Sequence, residues 1–360
     1  MNILAIDTSC DETSVAVVEN QRVLSNAVYS QILIHKKWGG VVPSLAKRAH
    51  EEHFEFVLYE ALKKYAKSIH LSFSLKENRV TEVMNTIDAV AVTYGPGLAI
   101  ALEVGIARAL QIAQKYGKPL IPVNHMEGHI YSCFAQNGKG NPGRVVVYPF
   151  LALLVSGGHT ELVLVHEKGK YEVVGETVDD AAGEALDKAS KILGLGYPGG
   201  VIIEQLAEEA IEFDRYVLPR PMHKINTCML SFSGLKTALL YLYRSLPQVD
   251  KKKYVRELAY AFQSAVFDSL ILKTERAIRQ TQSKILVVGG GVIANKKLRS
   301  QIRQLGKKMK IQIIFPPYSY LAGDNAGMIG VAGGFIPQGR ILQNYRTIER
   351  VPQLHFSHMV

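Results

Sequence analysis

"ILAIDTSCDETSVAVVE" at 3–19 and "LALLVSGGHTELVLVHE" at 151–167 decide the fold. Each opens on an apolar run, breaks at a turn of small or hydroxyl-bearing residues, and resumes as a second alternating run. Alternation with a period of two describes a strand with one buried face, and two such runs about a short turn describe a β-hairpin. The turn of the second copy is two residues shorter. Outward from each hairpin the pattern repeats again. "IDAVAVTYGPGLAIALEVGIARALQIAQKYGKPLIPV" (87–123) reads strand, glycine-rich turn, long helix, strand, and "SKILVVGGGVIANKKLRSQIRQLGKKMKIQIIF" (283–315) reads the same way. That order predicts two related α/β lobes facing each other across a cleft.

The polar, turn-rich "NGKGNPGR" (137–144) marks the joint. It predicts an N-terminal lobe over 1–140, completed by 325–350, and a C-terminal lobe over 141–324 with a helical insertion at 233–245 and 251–281. "SIHLSFSLKENRVTEVMN" (68–85) breaks the rhythm and reads as a surface insertion.

The chain of 360 residues is 48% hydrophobic, enough to build about two cores. Its longest apolar run, 145–155, is half a bilayer span and contains Pro149, so no membrane helix is expected. The start, "MNILAIDTSCDE", carries acids where a secretory leader stays apolar. Cys10, Cys133 and Cys228 form no CxxC pair, which excludes a disulfide framework and a zinc knuckle. A soluble, cytoplasmic protein is expected. The formal charge is +10, and 273–310 holds eleven Lys or Arg against one acid, Glu275. Such a segment suits a polyanion such as nucleic acid, or is a solvated helix surface; charge alone does not choose.

"VNHMEGHIYS" (123–132) places His125 and His129 four apart. On a helix that spacing leaves the two rings about 40° apart on one face, able to share a metal ion or to pack as hydrogen-bonded histidines. A zinc-protease HExxH needs its glutamate beside the first histidine. Here Glu127 lies two residues on, about 200° round the helix, which disfavours that reading. Asp324 in "LAGDNAGMIG" (321–330) offers a third ligand, and a His2Asp set with open positions suits iron or zinc. The tips "SGGH" (156–159) and "GGGVIAN" (289–295) let backbone N–H groups approach an anion, which points to a nucleotide. In "SCDET" (9–13), Asp11 and Glu12 are either solvated or placed to take a proton. Asp180, Glu184 and Asp187 share a helix face, with capping of the helix and pairing to Lys188 or Lys191 as alternatives.

Taken in order, "DTSCDETSVAV", "GGVVPSLAKRAH", "GPGL", "NHMEGHIYS", "LVSGGHTELV", "DDAAGEALDK", "GYPGG", "SFSGLKT", "GGGVIAN" and "DNAGMIG" resemble the TsaD family of tRNA adenosine threonylcarbamoyltransferases over nearly the whole chain. The resemblance implies two ribonuclease-H-like lobes of the actin/Hsp70/sugar-kinase fold. It implies transfer of a threonylcarbamoyl group from threonylcarbamoyl-adenylate to the adenosine 3′ of the anticodon, with release of AMP. It implies that His125, His129 and Asp324 hold Fe2+, with Zn2+ as the alternative. Leu154, Val155, Ser156, Gly157 and Gly158 would form the substrate-binding hairpin, and Asp187, Gly200, Glu204 and Asn295 would hold the adenylate. Asp11 and Glu12 would lie near the reacting centre. "LVSGGHT" resembles bacterial members, which implies TsaB and TsaE as partner proteins beside tRNA, and no membrane. Departures from the family pattern are Asp7 for a usual Glu, Val201 for Pro, Glu204 for Asp, Gly323 for Thr, and the lack of an Asp before the phenylalanine in "MLSFSGLKT". The alternatives are a kinase or carbamoyltransferase of the same fold, or a non-catalytic, nucleotide-gated tRNA-binding scaffold.

Overall fold

Both quoted stretches fold as antiparallel hairpins. The computed structural model describes residues 1–74, 76–343 and 348–358, and among them ten strands form two five-stranded sheets. The first sheet holds β1 (Asn2–Asp7), β2 (Glu12–Glu19), β3 (Arg22–Ser30), β4 (Ala89–Gly95) and β5 (Leu120–Asn124) in the order β3-β2-β1-β4-β5. The second holds β6 (Phe150–Val155), β7 (Thr160–Glu167), β8 (Lys170–Glu176), β9 (Ile285–Gly289) and β10 (Gln312–Ile314), ordered β10-β9-β6-β7-β8. Read from the other edge, the second order is the first repeated. In each sheet the hairpin and its neighbour are antiparallel and the last two strands run parallel to the first. This is the two-lobed architecture the repeats predict.

Helices α1 (Ile32–Lys36), α2 (Pro43–Ser68), α3 (Glu77–Asn85), α4 (Ala99–Tyr116) and α5 (His125–Tyr131) belong to the first half. The second half carries α6 (Ala182–Ile192), α7 (Gly199–Glu208), α8 (Ser233–Ser245), α9 (Gln248–Lys253), α10 (Val255–Thr281), α11 (Lys296–Met309) and α12 (Ala326–Gly333). Strand alternation sorts the side chains into layers. Leu4, Ile6, Val15 and Val17 face α2 and α4, while Leu151, Leu153 and Val155 face α6, α8 and α10. The alternate residues Ile3, Ala5, Ala152 and Leu154 face inward, and α5 and α12 fill the space between the sheets. Two faces of each sheet are therefore apolar, which explains strands that read as nearly continuous hydrophobic runs.

Three expectations need correction. Residues 68–85, expected at the surface, are more ordered than that reading implies: they finish α2 and form the largely exposed α3, which buries Val83 and Met84 against the first sheet's outer core. Val80, Val83 and Met84 repeat at helical spacing, and that stripe drives the docking; Leu75 lies outside the described residues. The helix expected over 251–281 breaks at Tyr254, whose ring is covered by the Arg215 guanidinium at 3.4 Å. The segment 273–310 is not one basic face. Lys273 is buried and donates to the carbonyls of Met222, Ile225 and Thr227, Arg276 reaches two of the same carbonyls, and Arg279 and Lys308 both pair with Glu275. No helix among the described residues is long and apolar enough to cross a membrane.

Candidate metal centre

α5 starts where β5 ends, and a capping box fixes the turn. Asn124 Oδ1 accepts from the Met126 N–H at 2.7 Å, and Glu127 Oε2 accepts from the Asn124 N–H at 3.2 Å. Every residue of this short helix is buried, so its direction is set by packing rather than by propensity. Gly128 allows α12 to cross closely, since a Cβ there would lie 2.9 Å from Ile329. Asp324 precedes Asn325, the N-cap of α12, whose Oδ1 accepts from the Met328 N–H.

These connections bring the three predicted ligands together. Asp324 Oδ1 lies 3.3 Å from His125 Nε2 and 3.4 Å from His129 Nε2, and the imidazole centroids are 4.8 Å apart. The other nitrogen of His125, Nδ1, sits 3.1 Å from Ser9 Oγ and 3.7 Å from Asp7 Oδ2. Asp7 in turn accepts from the Ser9 N–H through Oδ1. The first hairpin thus orients His125, setting the Ser9 hydroxyl and the Asp7 carboxylate behind its imidazole. His129 is fully buried; its Nδ1 meets no hydrogen-bond partner among the described residues, and its Nε2 has the Asp324 carboxylate at 3.4 Å without the direction of a hydrogen bond. An imidazole left so in a protein interior is costly unless something binds it. Two imidazoles and a carboxylate at this spacing fit a divalent transition metal.

Charge among the three side chains is divided unevenly. Burial opposes a proton on His125, but the Asp324 carboxylate outweighs it and raises the group to about 9. Burial prevails at His129, which is lowered. Burial also opposes ionisation of Asp324, yet His125 beside it holds the carboxyl well below its usual range.

Glu127 is tied elsewhere. Arg340 grips both its oxygens, at 2.9 and 3.1 Å, and the Tyr171 hydroxyl donates to Oε1 at 2.8 Å. A carboxylate so engaged is a structural anchor for α5 and not a base over the metal, which agrees with its position round the helix.

The hairpin tips flank this cluster. His50 Nε2 donates to the Cys10 carbonyl at 3.0 Å while Nδ1 accepts from Thr13 Oγ1 at 2.7 Å, which fixes the tip carrying Asp11 and Glu12. Asp11 is buried rather than solvated. Glu12 is raised well above the carboxylate range by burial and then by Asp11. Tyr197 is raised by burial and by the charges of Asp11 and Asp187, so the first tip faces the second lobe. In the second tip the Ser156 N–H donates to the His159 carbonyl, leaving Gly157 and Gly158 exposed with open space around them. Leu154 and Val155 have buried side chains on opposite sheet faces and present only backbone.

The remaining site residues have partners inside the fold. Asp187 Oδ1 accepts from Gly199 and Gly200 N–H at 2.7 and 3.3 Å, capping α7. Glu204 Oε1 accepts from the Lys296 N–H at 2.8 Å at the start of α11. Asn295 caps α11 through Oδ1 and donates to Gln263 through Nδ2. Asp180 pairs with both Lys188 and Lys236, and Glu184 with Lys188, so these two acids are structural. Ser9, His50, Tyr171 and Arg340 were not singled out in the sequence, although Ser9 and His50 lie inside the quoted motifs.

Gly289 ends β9 directly behind the centre, and a Cβ there would lie 2.5 Å from the His129 carbonyl oxygen. Gly289→Ala should therefore push α5 outward, destabilise the fold by about 1–3 kcal/mol and weaken metal retention. Urea unfolding and metal analysis of the purified variant check both.

The sequence profile of the TsaD family, described as tRNA N6-adenosine threonylcarbamoyltransferase, matches residues 22–331. The chain belongs to the TsaD family. A relative of that name from Thermosipho africanus is 42% identical over 355 residues, covering 98% of this chain and 99% of its own. One from Streptococcus suis is 46% identical over 331 residues, covering 92% and 90%. Among solved structures, HypF of T. kodakarensis superposes with a TM-score of 0.57 at 13% identity. It covers 96% of this chain, which spans 49% of HypF, and at that identity it speaks for the fold alone. Asp7 reaches Ser9 and His125, and the Glu204 side chain reaches the α11 backbone.

Proposed function

We propose that the protein transfers the threonylcarbamoyl group of threonylcarbamoyl-adenylate to the exocyclic amine of the adenosine 3′ of the anticodon, in tRNAs reading codons that begin with A. Supporting this reading is the convergence of His125, His129 and Asp324 between two hairpin tips in a TsaD-family chain. The adenine amine is a weak nucleophile because its lone pair is delocalised, so the acyl partner must be an activated mixed anhydride. Nitrogen attacks the carbamoyl carbon, the carbon–oxygen bond to phosphate breaks, and AMP departs with the electron pair.

A divalent ion held by His125, His129 and Asp324, Fe2+ in this reading with Zn2+ as the alternative, would supply Lewis-acid neutralisation of phosphate charge. The exposed N–H groups of Gly157 and Gly158 add fixed dipoles for the phosphate oxygens. Asp187 has one oxygen committed to the α7 backbone, which leaves Oδ2 for a ribose hydroxyl. Glu204 likewise has one oxygen committed and one for the ribose. Gly200 and Asn295 wall the adenosine; the Asn295 amide is already spent at both ends, so its share is shape. Asp11 accepts the proton released by the amine, with Glu12, raised by burial and by Asp11, beside it. The exposed Lys297, Lys307 and Lys310 are suited to tRNA phosphates. TsaB and TsaE are the expected partner proteins, and the cytoplasm the expected site of action. The assigned boundaries are 1–140 with 325–350 for one lobe and 141–324 for the other.

Incubation with threonylcarbamoyl-adenylate and unmodified tRNA, followed by nucleoside mass analysis, should yield threonylcarbamoyladenosine and AMP in equal amounts. Transfer of phosphate from ATP instead would mark a kinase. Asp11→Asn should bind adenylate normally and transfer about 10²-fold more slowly. Loss of adenylate binding in that variant would make Asp11 a structural residue.

A further inference from the structure

A second group of potential ligands lies apart from the centre just described. Glu161 on β7, Glu176 on β8 and His355 near the C-terminus bring one ligand atom each to within 4.8 Å of one another. Glu161 and Glu176 are directly opposed in the β7–β8 register, where like charges repel. Glu161 is only 6% exposed, turns into this group, and its Oε2 has no hydrogen-bond partner among the described residues. Among those residues no lysine or arginine pairs with either carboxylate; the neighbouring base is His355, with Nδ1 3.9 Å from Glu176 Oε2. Burial, and then Glu176, push Glu161 up to about 7, as expected for a carboxylate short of positive charge.

His355 belongs to a segment that crosses between the lobes. The Val351 N–H donates to the Tyr94 carbonyl at 2.8 Å, and the Gly97 N–H donates to the Pro352 carbonyl at 3.1 Å, anchoring the segment on the first lobe. Four residues on, Phe356 is buried against the Tyr171 ring of β8, with centroids 4.7 Å apart. His355 therefore reaches the two glutamates from a strap already fixed at both ends.

We propose that Glu161, Glu176 and His355 form a second divalent transition-metal site, which clamps the C-terminal strap onto β7 and β8 and so ties the two lobes together. Two carboxylates and an imidazole suit Zn2+, Mn2+ or Fe2+. Bonds of about 2.0–2.2 Å need ligand atoms closer than 4.8 Å, and the partly exposed Glu176 and exposed His355 have room to close.

The test loads the metal-stripped full-length protein with Zn2+, desalts it and counts bound zinc by mass spectrometry. Wild type should retain one equivalent more than Glu161→Gln, an isosteric change that removes a buried charge and leaves the fold intact by far-UV circular dichroism. The difference is the readout, so it is independent of whether the His125 centre loads and of the transfer reaction. In parallel, Zn2+ should slow tryptic cleavage after Arg350 about tenfold in wild type and not in Glu161→Gln, because clamping lowers the population of the open strap. Equal zinc content in the two proteins, or equal protection of the strap, would overturn the assignment and leave a carboxyl pair sharing a proton.

Discussion

Asp324→Ala is expected to empty the His125–His129 centre and to lower transfer by more than ~10²-fold, since the loss of an outer-shell residue alone can cost a metal site 10–100-fold. Its carboxylate lies against both imidazoles, at 3.3 and 3.4 Å. Metal analysis and single-turnover transfer measure the two losses, and full transfer by a metal-free variant would remove the ion from the mechanism. A pH series separates this effect from misfolding. In the ion-free wild type, His125 at about 9 lies above its ordinary 6.5, because Asp324 overcomes the burial penalty. The stabilisation from that pair is complete below pH 6.5 and is lost as pH rises through 9. Thermal melts of chelator-treated wild type should therefore decline across that window, and those of Asp324→Ala should lack this component of the slope.

Arg340→Ala should be the most destabilising single change outside the apolar cores, costing about 3–5 kcal/mol. Glu127 is 1% exposed, and the guanidinium is its principal counter-charge, bound through both oxygens. Removing the cation strands a buried carboxylate that also caps α5, so metal retention should fall with stability. The urea midpoint of Arg340→Ala, compared with that of Arg340→Ala/Glu127→Gln, checks the cause. The second substitution should recover part of the loss, because the stranded charge is then gone. A double variant no better than the single one would place the cost in lost packing of the arginine stem.

The hairpins, the repeated strand–helix–strand units and the paired histidines were legible because each depends on local pattern, whereas the meeting of Asp324 with those histidines depends on α5 and α12 crossing. Apolar runs about a short polar turn and a four-residue histidine spacing survive any tertiary context that keeps the strands and the helix, although burial on both sheet faces replaces the expected alternation. Position alone also removed Glu127 from the list of bases, and Arg340 then supplies the reason that it is there. What could not be read was the use made of polar groups by distant segments. Nothing near Lys273 says that three carbonyls from 222–227 will surround it, so a lysine with an interior role looked like part of a basic face. The burial of Asp11 is a property of the folded chain, and the capping roles of Asp187 and Glu204 depend on α7 and α11 lying nearby. Residues 68–85 misled for a different reason: their apolar stripe is one turn and a half long, too short to stand out against a polar background.

The equivalence of the two sheets bears on how such a centre is assembled. β5 runs into the helix that carries the imidazoles, and β10 leads to the loop that carries the carboxylate, at matching places in the repeated unit. Identical halves would offer four imidazoles or two carboxylates, and a solitary half only one kind. A mixed three-ligand cup therefore needs both halves, each contributing at the same topological place what the other lacks.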